Sequence, residues 1–290
     1  MLEKDSRINH AARNTKKDIG NLMLPVKRTL GPVFVNSIII AALITAQAIL
    51  GLVHRDLTYP TNELILAFVP NDVVNLLIGL PILIISMWLT FRGKLLGLLF
   101  WPGALFYVLY NYLVYIFAMP LNVAFLINLI LVSMSAYTLA DLVARIDGIA
   151  VHQRLSGAVP ERLAGAVLIG LGLLFLLRVV GIFMGAIFNQ TSIPETELAL
   201  NISDFLISPA PIIGGVLLWR RKAFGYVTGL GLLFQQSMLF IGLIAVLVLQ
   251  PFMIDIPFAS VDVIVVAVMG LVCFVPFVLF ARGVLVKDNS

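Results

Sequence analysis

Charge is what this sequence has least of. Only 12% of its 290 residues are charged, about half the share a soluble domain carries. So few charges cannot cover a water-facing surface, which excludes an ordinary soluble fold. With 61% hydrophobic residues and a mean hydropathy of +1.06, the chain treats lipid as its solvent. Cysteine occurs once, as Cys273 inside an apolar run, so no disulfide can close within the chain. That thiol reads as a small buried hydrophobe rather than a nucleophile. The three histidines, His10, His54 and His152, are scattered through polar segments. No His/Cys/Glu cluster has ligand spacing, so no metal site and no cofactor are expected. No glycine-rich loop runs into Lys-Ser/Thr, which excludes a built-in nucleotide motor. The partner that the composition calls for is the lipid bilayer, not nucleic acid.

What is there is a succession of eight apolar runs, each near the length of about 20 residues that a bilayer crossing needs. They are Pro32–Val53, Val73–Phe91, Leu95–Ala118, Val123–Leu142, Leu163–Phe188, Phe205–Trp219, Tyr226–Leu249 and Val263–Ala281. The expected fold is all-α: a polytopic membrane protein of eight transmembrane helices, organised as two four-helix repeats in parallel orientation. The sixth run is the shortest and carries Pro209 and Pro211, so a kinked or broken helix is expected there.

Lys and Arg set the orientation. Arg92 and Lys94 lie in the second loop, Arg145, Arg154 and Arg162 in the fourth, and Arg220, Arg221 and Lys222 in the sixth. Arg282 and Lys287 follow the last run, and Arg55 alone falls in an odd-numbered loop. Both termini are therefore expected in the cytoplasm. The compact chain points to a plasma membrane of prokaryotic type. Residues 1–28 read as a basic cytoplasmic tail, 29–146 as the first four-helix half, 147–161 as a linker, 162–282 as the second half and 283–290 as a short tail.

The repeat rests on self-similarity. Gly97-Leu-Leu-Phe recurs as Gly231-Leu-Leu-Phe, and Arg28-x-x-Gly31-x-Val33 as Arg162-x-x-Gly165-x-Val167, both 134 residues on. Asp72 and Asp204 open the second and sixth runs, which end near Trp88 and Trp219.

One charge interrupts an apolar run. Arg178 lies about 23 Å above Leu163 and about 15 Å below Phe188 on a straight helix. Its guanidinium stays charged and needs a carboxylate, a carbonyl or water. Gly181 and Gly185 follow on the same side, as if to admit a neighbouring helix, which would turn Arg178 into the bundle. Asp204 leads Asp72 and Asp262 as its partner, because Asp204, Ser208, Pro211 and Gly215 form one polar-to-small stripe. At least two of the three aspartates are expected to be helix N-caps. Tyr107, Asn111 and Tyr115 share a face of the third helix with Tyr110 beside them, some of this serving as an interfacial aromatic belt. Of the adjacent Gln235 and Gln236, at least one should bond to another helix.

Together Arg178, Asp204, Asp72, Tyr107, Asn111, Gln235 and Gln236 define an expected polar cavity in the outer half, suited to a small-molecule or ion ligand. The outer loops add Asp56, Glu63, Glu195, Glu197 and Asp255, the residue of acids left where the basic residues are kept inside. Asn189 and Asn201 match the glycosylation sequon. Three functions are open. A small-solute or ion permease would use the cavity. A non-catalytic subunit or regulator would bind a protein or lipid partner through the basic tail and the loop Asp147–Glu161. An intramembrane enzyme would need a base beside Ser133, Ser135 or Ser208, and none is evident. Gly181-x-x-x-Gly185 and Gly225-x-x-x-Gly229 would suit packing within one chain or in a homo-oligomer.

Overall fold

The computed structural model describes residues 24–252 and 257–288. The basic tail up to residue 23 and the outer-loop Asp255 lie outside the described residues. Among the described residues the protein is all-helical, apart from a single bridge between Val26 and Ile146. Eight helices are long and apolar enough to span a membrane: α1 Gly31–Val53, α2 Asn62–Phe91, α3 Leu95–Ala118, α4 Val123–Arg145, α5 Glu161–Asn189, α6 Glu195–Trp219, α7 Ala223–Phe252 and α8 Ser260–Asp288. This is the architecture of a multi-pass membrane protein.

The basic loops meet at one end. The Lys27 N–H donates to the Arg145 carbonyl, Arg154 pairs with Asp288 at 3.3 Å, and Asp288 accepts the Leu95 N–H. The linker after α4 is not a free loop. Asp147 caps a short helix, Gly148–Leu155, whose Val151 and Leu155 are fully buried where it packs on α7.

Two helices begin earlier than hydropathy suggests. α2 starts at Asn62, capped by the Thr61 side chain, and α6 starts at Glu195. The polar residues that ended the apolar runs are inside helices, because neighbouring helices satisfy them. Asp72 and Asp204 are therefore not N-caps, contrary to expectation. Of the three aspartates only Asp262 lies in a first turn. α2 contains a π-helical stretch, Asn75–Gly79, and α6 passes from Glu195–Ile207 to Pro209–Trp219 at Ser208. Pro209 has no N–H to give, and Ser208 turns its hydroxyl back to the Asp204 carbonyl at 2.6 Å, so the expected irregularity in α6 is an interruption of the helix at Ser208.

α3 is the core. Its central window is 83% buried, against 22–44% for the other seven helices. It packs on α2 and α4 to one side and on α6 and α7 to the other. α3 and α7 cross backbone to backbone at Gly103 and Gly231. A Cβ on Gly103 would come within 2.6 Å of the Gly231 carbonyl, and one on Gly231 within 2.7 Å of the Gly103 nitrogen. Only glycine at both positions lets the two central helices touch. Phe100 of α3, Phe234 of α7 and Phe277 of α8 fill the space beside them, with ring centroids 4.6–6.2 Å apart.

Neighbouring helices close two rings. α1 packs on α2, α2 on α3, α3 on α4 and α4 on α1. α5 packs on α6, α6 on α7, α7 on α8 and α8 on α5. The turn after α2 (Arg92, Gly93, Lys94) and the turn after α6 (Arg220, Arg221, Lys222) form the same three backbone hydrogen bonds. In both the middle residue is left-handed, Gly93 at φ 75° and Arg221 at φ 54°. Gly97 then sits against the last turn of α2, and Gly225 against the last turn of α6.

Candidate functional site: a polar network carried by α3

Three residues come to one level by simple helix geometry. Arg178, Asp204 and Tyr110 each lie sixteen positions from a basic residue at the common end: Arg162, Arg220 and Lys94. At 1.5 Å per residue that is about 24 Å, so they meet well beyond the middle of a ~30 Å hydrocarbon layer. The Arg178 Nη1 stands 3.3 Å from Asp204 Oδ2, and the Tyr110 hydroxyl donates to Asp204 Oδ1 at 2.8 Å. Of the three candidate aspartates it is Asp204 that meets the arginine. The pair is lopsided. The Asp204 side chain is 6% exposed and that of Arg178 41%.

That exposure corrects one expectation. Arg178 does not point wholly into the bundle, and a Cβ at Gly181 or Gly185 would meet nothing within 4 Å. These glycines do not seat a neighbouring helix within the chain. α5 packs tightly on α6 only in its other half, where Gly165 faces the Gly215 carbonyl and Gly172 faces Ser208 and Ile212.

The second cluster joins α2 to α3. Asp72 is fully buried and accepts hydroxyls from Tyr59 at 2.5 Å and Tyr115 at 2.8 Å. Tyr59 stands in the loop before α2. Burial and the adjacent Asp72 carboxylate push its phenol above the usual range, so it stays protonated and donates. Asn71 donates to Asn111 at 2.7 Å and to the Tyr115 hydroxyl at 3.3 Å. Asn111 in turn donates to Asn75, which also accepts the Tyr107 hydroxyl at 3.0 Å. The space is tight. A Cβ on Gly51 of α1 would lie 2.5 Å from the Tyr59 hydroxyl, and one on Gly79 2.7 Å from the Tyr107 ring.

Two faces of α3 thus serve the two carboxylates. Tyr107, Asn111 and Tyr115 recur every four residues and face α2, while Tyr110 turns to α6. The tyrosines are not an interfacial belt: Tyr107, Tyr110, Tyr112 and Tyr115 are all buried. Gln235 and Gln236 are buried too, but Gln236 donates to its neighbour Gln235 at 2.8 Å rather than to another helix. Adjacent residues diverge by about 100° on a helix, yet long amide side chains can still bend to meet. Tyr59 and Asn71 were not anticipated as members of the site, whereas Asn75 shares a helical stripe with Asp72 and Gly79 that the sequence shows. Asn71 and Asn75 sit one turn apart on either side of Asp72, a polar cluster readable in the sequence once α2 is extended backwards. Nothing local marks Tyr59.

The side chains of the network bond to one another, with the Asn75 Nδ2 left without a partner. Open volume of about 390 Å³ lies in an apolar cleft lined by Pro102, Gly103, Phe106, Ala210, Gly214 and Leu232. Of the serines considered for catalysis, Ser208 gives its hydroxyl to the Asp204 carbonyl. Asn201 is fully buried in α6, so it is no glycosylation site. Among the described residues no group of three or more His, Cys, Asp or Glu is placed to hold a metal ion.

Fold and site together define a multi-pass helical membrane protein with a charged pair set into its polar half. No family model, curated protein or solved structure matches the chain.

Proposed function

We propose that the protein is a permease-like membrane protein that recognises an anionic or carbonyl-bearing small solute at Arg178, from the side opposite its basic loops. The observation that carries this reading is the half-exposed guanidinium. One of its nitrogens is fixed by the buried Asp204, and its open flank borders Gly181 and Gly185, where nothing packs within 4 Å. Asp204, fixed by Tyr110, orients the arginine and leaves its other N–H groups for a ligand. The Lys/Arg bias supports a cytoplasmic basic end in a plasma membrane, with solute arriving from outside.

Duplication of a four-helix unit belongs to the same proposed reading. The spacing that fits best is 128 rather than 134 residues. It superposes the turns at Arg92–Lys94 and Arg220–Lys222, pairs Pro81 with Pro209 and Gly97 with Gly225, and makes Gly103 and Gly231 each other's counterparts at the crossing. It also aligns the buried stripes Val33, Ser37, Ile40, Ile44 and Gly51 of α1 with Glu161, Gly165, Leu168, Gly172 and Val179 of α5. Arg178 then falls opposite Leu50, so only one half carries the charge.

A second reading is favoured by the neighbours of Arg178. Leu174, Leu177, Val180 and Met184 are exposed around it, so a lipid headgroup could reach the guanidinium sideways and the protein would act as a lipid-binding subunit. A thermal-stabilisation screen of carboxylates, phosphates and amides on purified protein, beside nanodiscs with and without anionic lipid, separates the two. A solute that raises the midpoint of wild type but not of Arg178→Gln, and that is taken up by proteoliposomes, supports the permease. Stabilisation by anionic lipid alone supports the lipid reading. No difference between wild type and Arg178→Gln with any ligand refutes both.

A further inference from the structure

The ring of α1, α2, α3 and α4 encloses side chains that its own hydrogen bonds leave unused. Gln47 of α1, Tyr112 of α3 and Asn128, Ser135 and Thr138 of α4 are each no more than 1% exposed. Both amide ends of Gln47 and Asn128, and the hydroxyls of Tyr112, Ser135 and Thr138, have no hydrogen-bond partner. An unpaired buried amide or hydroxyl costs roughly 1–3 kcal/mol, so five together are untenable in a dry core.

Their positions place them in one interior. Asn128, Ser135 and Thr138 recur at seven and three residues on the buried stripe of α4, the helix that packs on both α1 and α3. Tyr112 lies eleven residues, close to three turns, beyond Trp101. It therefore shares the α3 face from which Trp101 donates to Ser37 of α1 at 3.1 Å. Gln47 lies one turn from Gly51, against which Asp72 and Tyr59 pack. The Tyr112 and Tyr115 rings are 5.3 Å apart, and Tyr115 donates to Asp72. The unused groups thus begin just below the Asp72 cluster and descend α4 for ten residues, about 15 Å, toward the basic end.

We propose that the interior of the α1–α4 ring binds a file of water molecules, closed at one end by Asp72 with Tyr59 and Tyr115, and running past Tyr112, Gln47 and Asn128 to Ser135 and Thr138. Water suits this lining. It offers amides and hydroxyls that both donate and accept and no charged group below Asp72, the kind of partner with which a buried water makes its two to four bonds. The corresponding ring of α5–α8 offers no such stripe on α8, whose buried residues are Gly270, Cys273, Pro276, Phe280, Gly283 and Val284. The file is independent of the anion site at Arg178.

Radiolytic hydroxyl-radical footprinting of the full-length protein in nanodiscs tests this, because radicals made from bound water oxidise the side chains beside it. Tyr112 is expected to be oxidised at least five-fold faster than Phe234, a ring equally buried at the apolar α3–α7 contact. Asn128→Leu, and independently Gln47→Leu, should lower Tyr112 oxidation at least three-fold without changing Phe234. Wild-type Tyr112 as protected as Phe234 overturns the proposal, and that measurement needs no variant to fold. Tyr112 oxidised equally in wild type and in a folded Asn128→Leu or Gln47→Leu variant overturns it as well, since the label would then enter from the Asp72 end.

Discussion

The unequal burial of Arg178 and Asp204 makes their energetic roles separable. Arg178→Gln leaves the Asp204 carboxylate, 6% exposed, with the Tyr110 hydroxyl at 2.8 Å as its remaining side-chain donor. Stranding a fully buried charge costs about 3–5 kcal/mol. Two features reduce that here. Tyr110 stays bonded, and the pair spans 3.3 Å with an arginine 41% exposed, so its own attraction is screened. The expected loss is about 2 kcal/mol. Asp204→Asn removes the buried charge and keeps an acceptor for Tyr110. The freed guanidinium can extend toward the far interface, and the expected loss is about 0.5–1 kcal/mol. Arg178→Gln in the Asp204→Asn background should then cost under about 0.5 kcal/mol, giving a coupling of about 1.5 kcal/mol. Reversible unfolding in mixed micelles, followed by far-UV circular dichroism, measures all four corners. Additive losses, or Asp204→Asn costing more than Arg178→Gln, would refute the assignment of Asp204 as the buried, dependent partner.

Three further outcomes are expected. Gly103→Val drives a branched side chain into the Gly231 backbone and should cost about 3 kcal/mol or more, seen as lost monodisperse protein in size-exclusion chromatography, whereas Gly181→Val, in open space, should be tolerated. Tyr59 has its phenol held above its usual range by burial and Asp72, so the stability it contributes is present below its unfolded value of ~10 and is lost as pH climbs beyond that. Tyr59→Phe, which takes one hydroxyl from the buried Asp72, should accordingly lower the thermal midpoint below pH 9 by the equivalent of about 1–2 kcal/mol, and an unchanged midpoint contradicts the argument. Cys273 is fully buried, so a maleimide added to the folded protein should label it only after unfolding, as read by intact mass.

Local chemistry carried the reading a long way. The length and spacing of the apolar runs determined eight spanning helices, since a bilayer demands about 20 apolar residues whatever the neighbours are. The alternation of Lys and Arg required the basic loops to share an end, and the structure gathers Arg145, Arg154 and the last residue of α8, Asp288, there. A lone arginine in hydrocarbon demanded a carboxylate, a carbonyl or water, and the polar stripe of the sixth helix put Asp204 first among the carboxylates. Hydropathy failed at polar residues inside helices. It ended α2 at Val73 because Asn71 and Asp72 look like a loop. The helix in fact runs back to Asn62, because Tyr59, Asn111 and Tyr115 bring the missing bonds from elsewhere.

What only the tertiary structure decided is who meets whom. That α3 rather than any other apolar helix is the core, that Gly103 touches Gly231, and that α3 serves Asp72 from one face and Asp204 from another all depend on helix rotations, which an evenly apolar sequence leaves open. The same holds for Arg178. Its need for a partner is written in its charge, but its half-exposure follows from where α5 parts from α6. Gly165 and Gly172 let the two backbones close at one end. Beyond Ser208 nothing packs on Gly181 and Gly185, and the arginine is left at the edge of the bundle with one hand on Asp204.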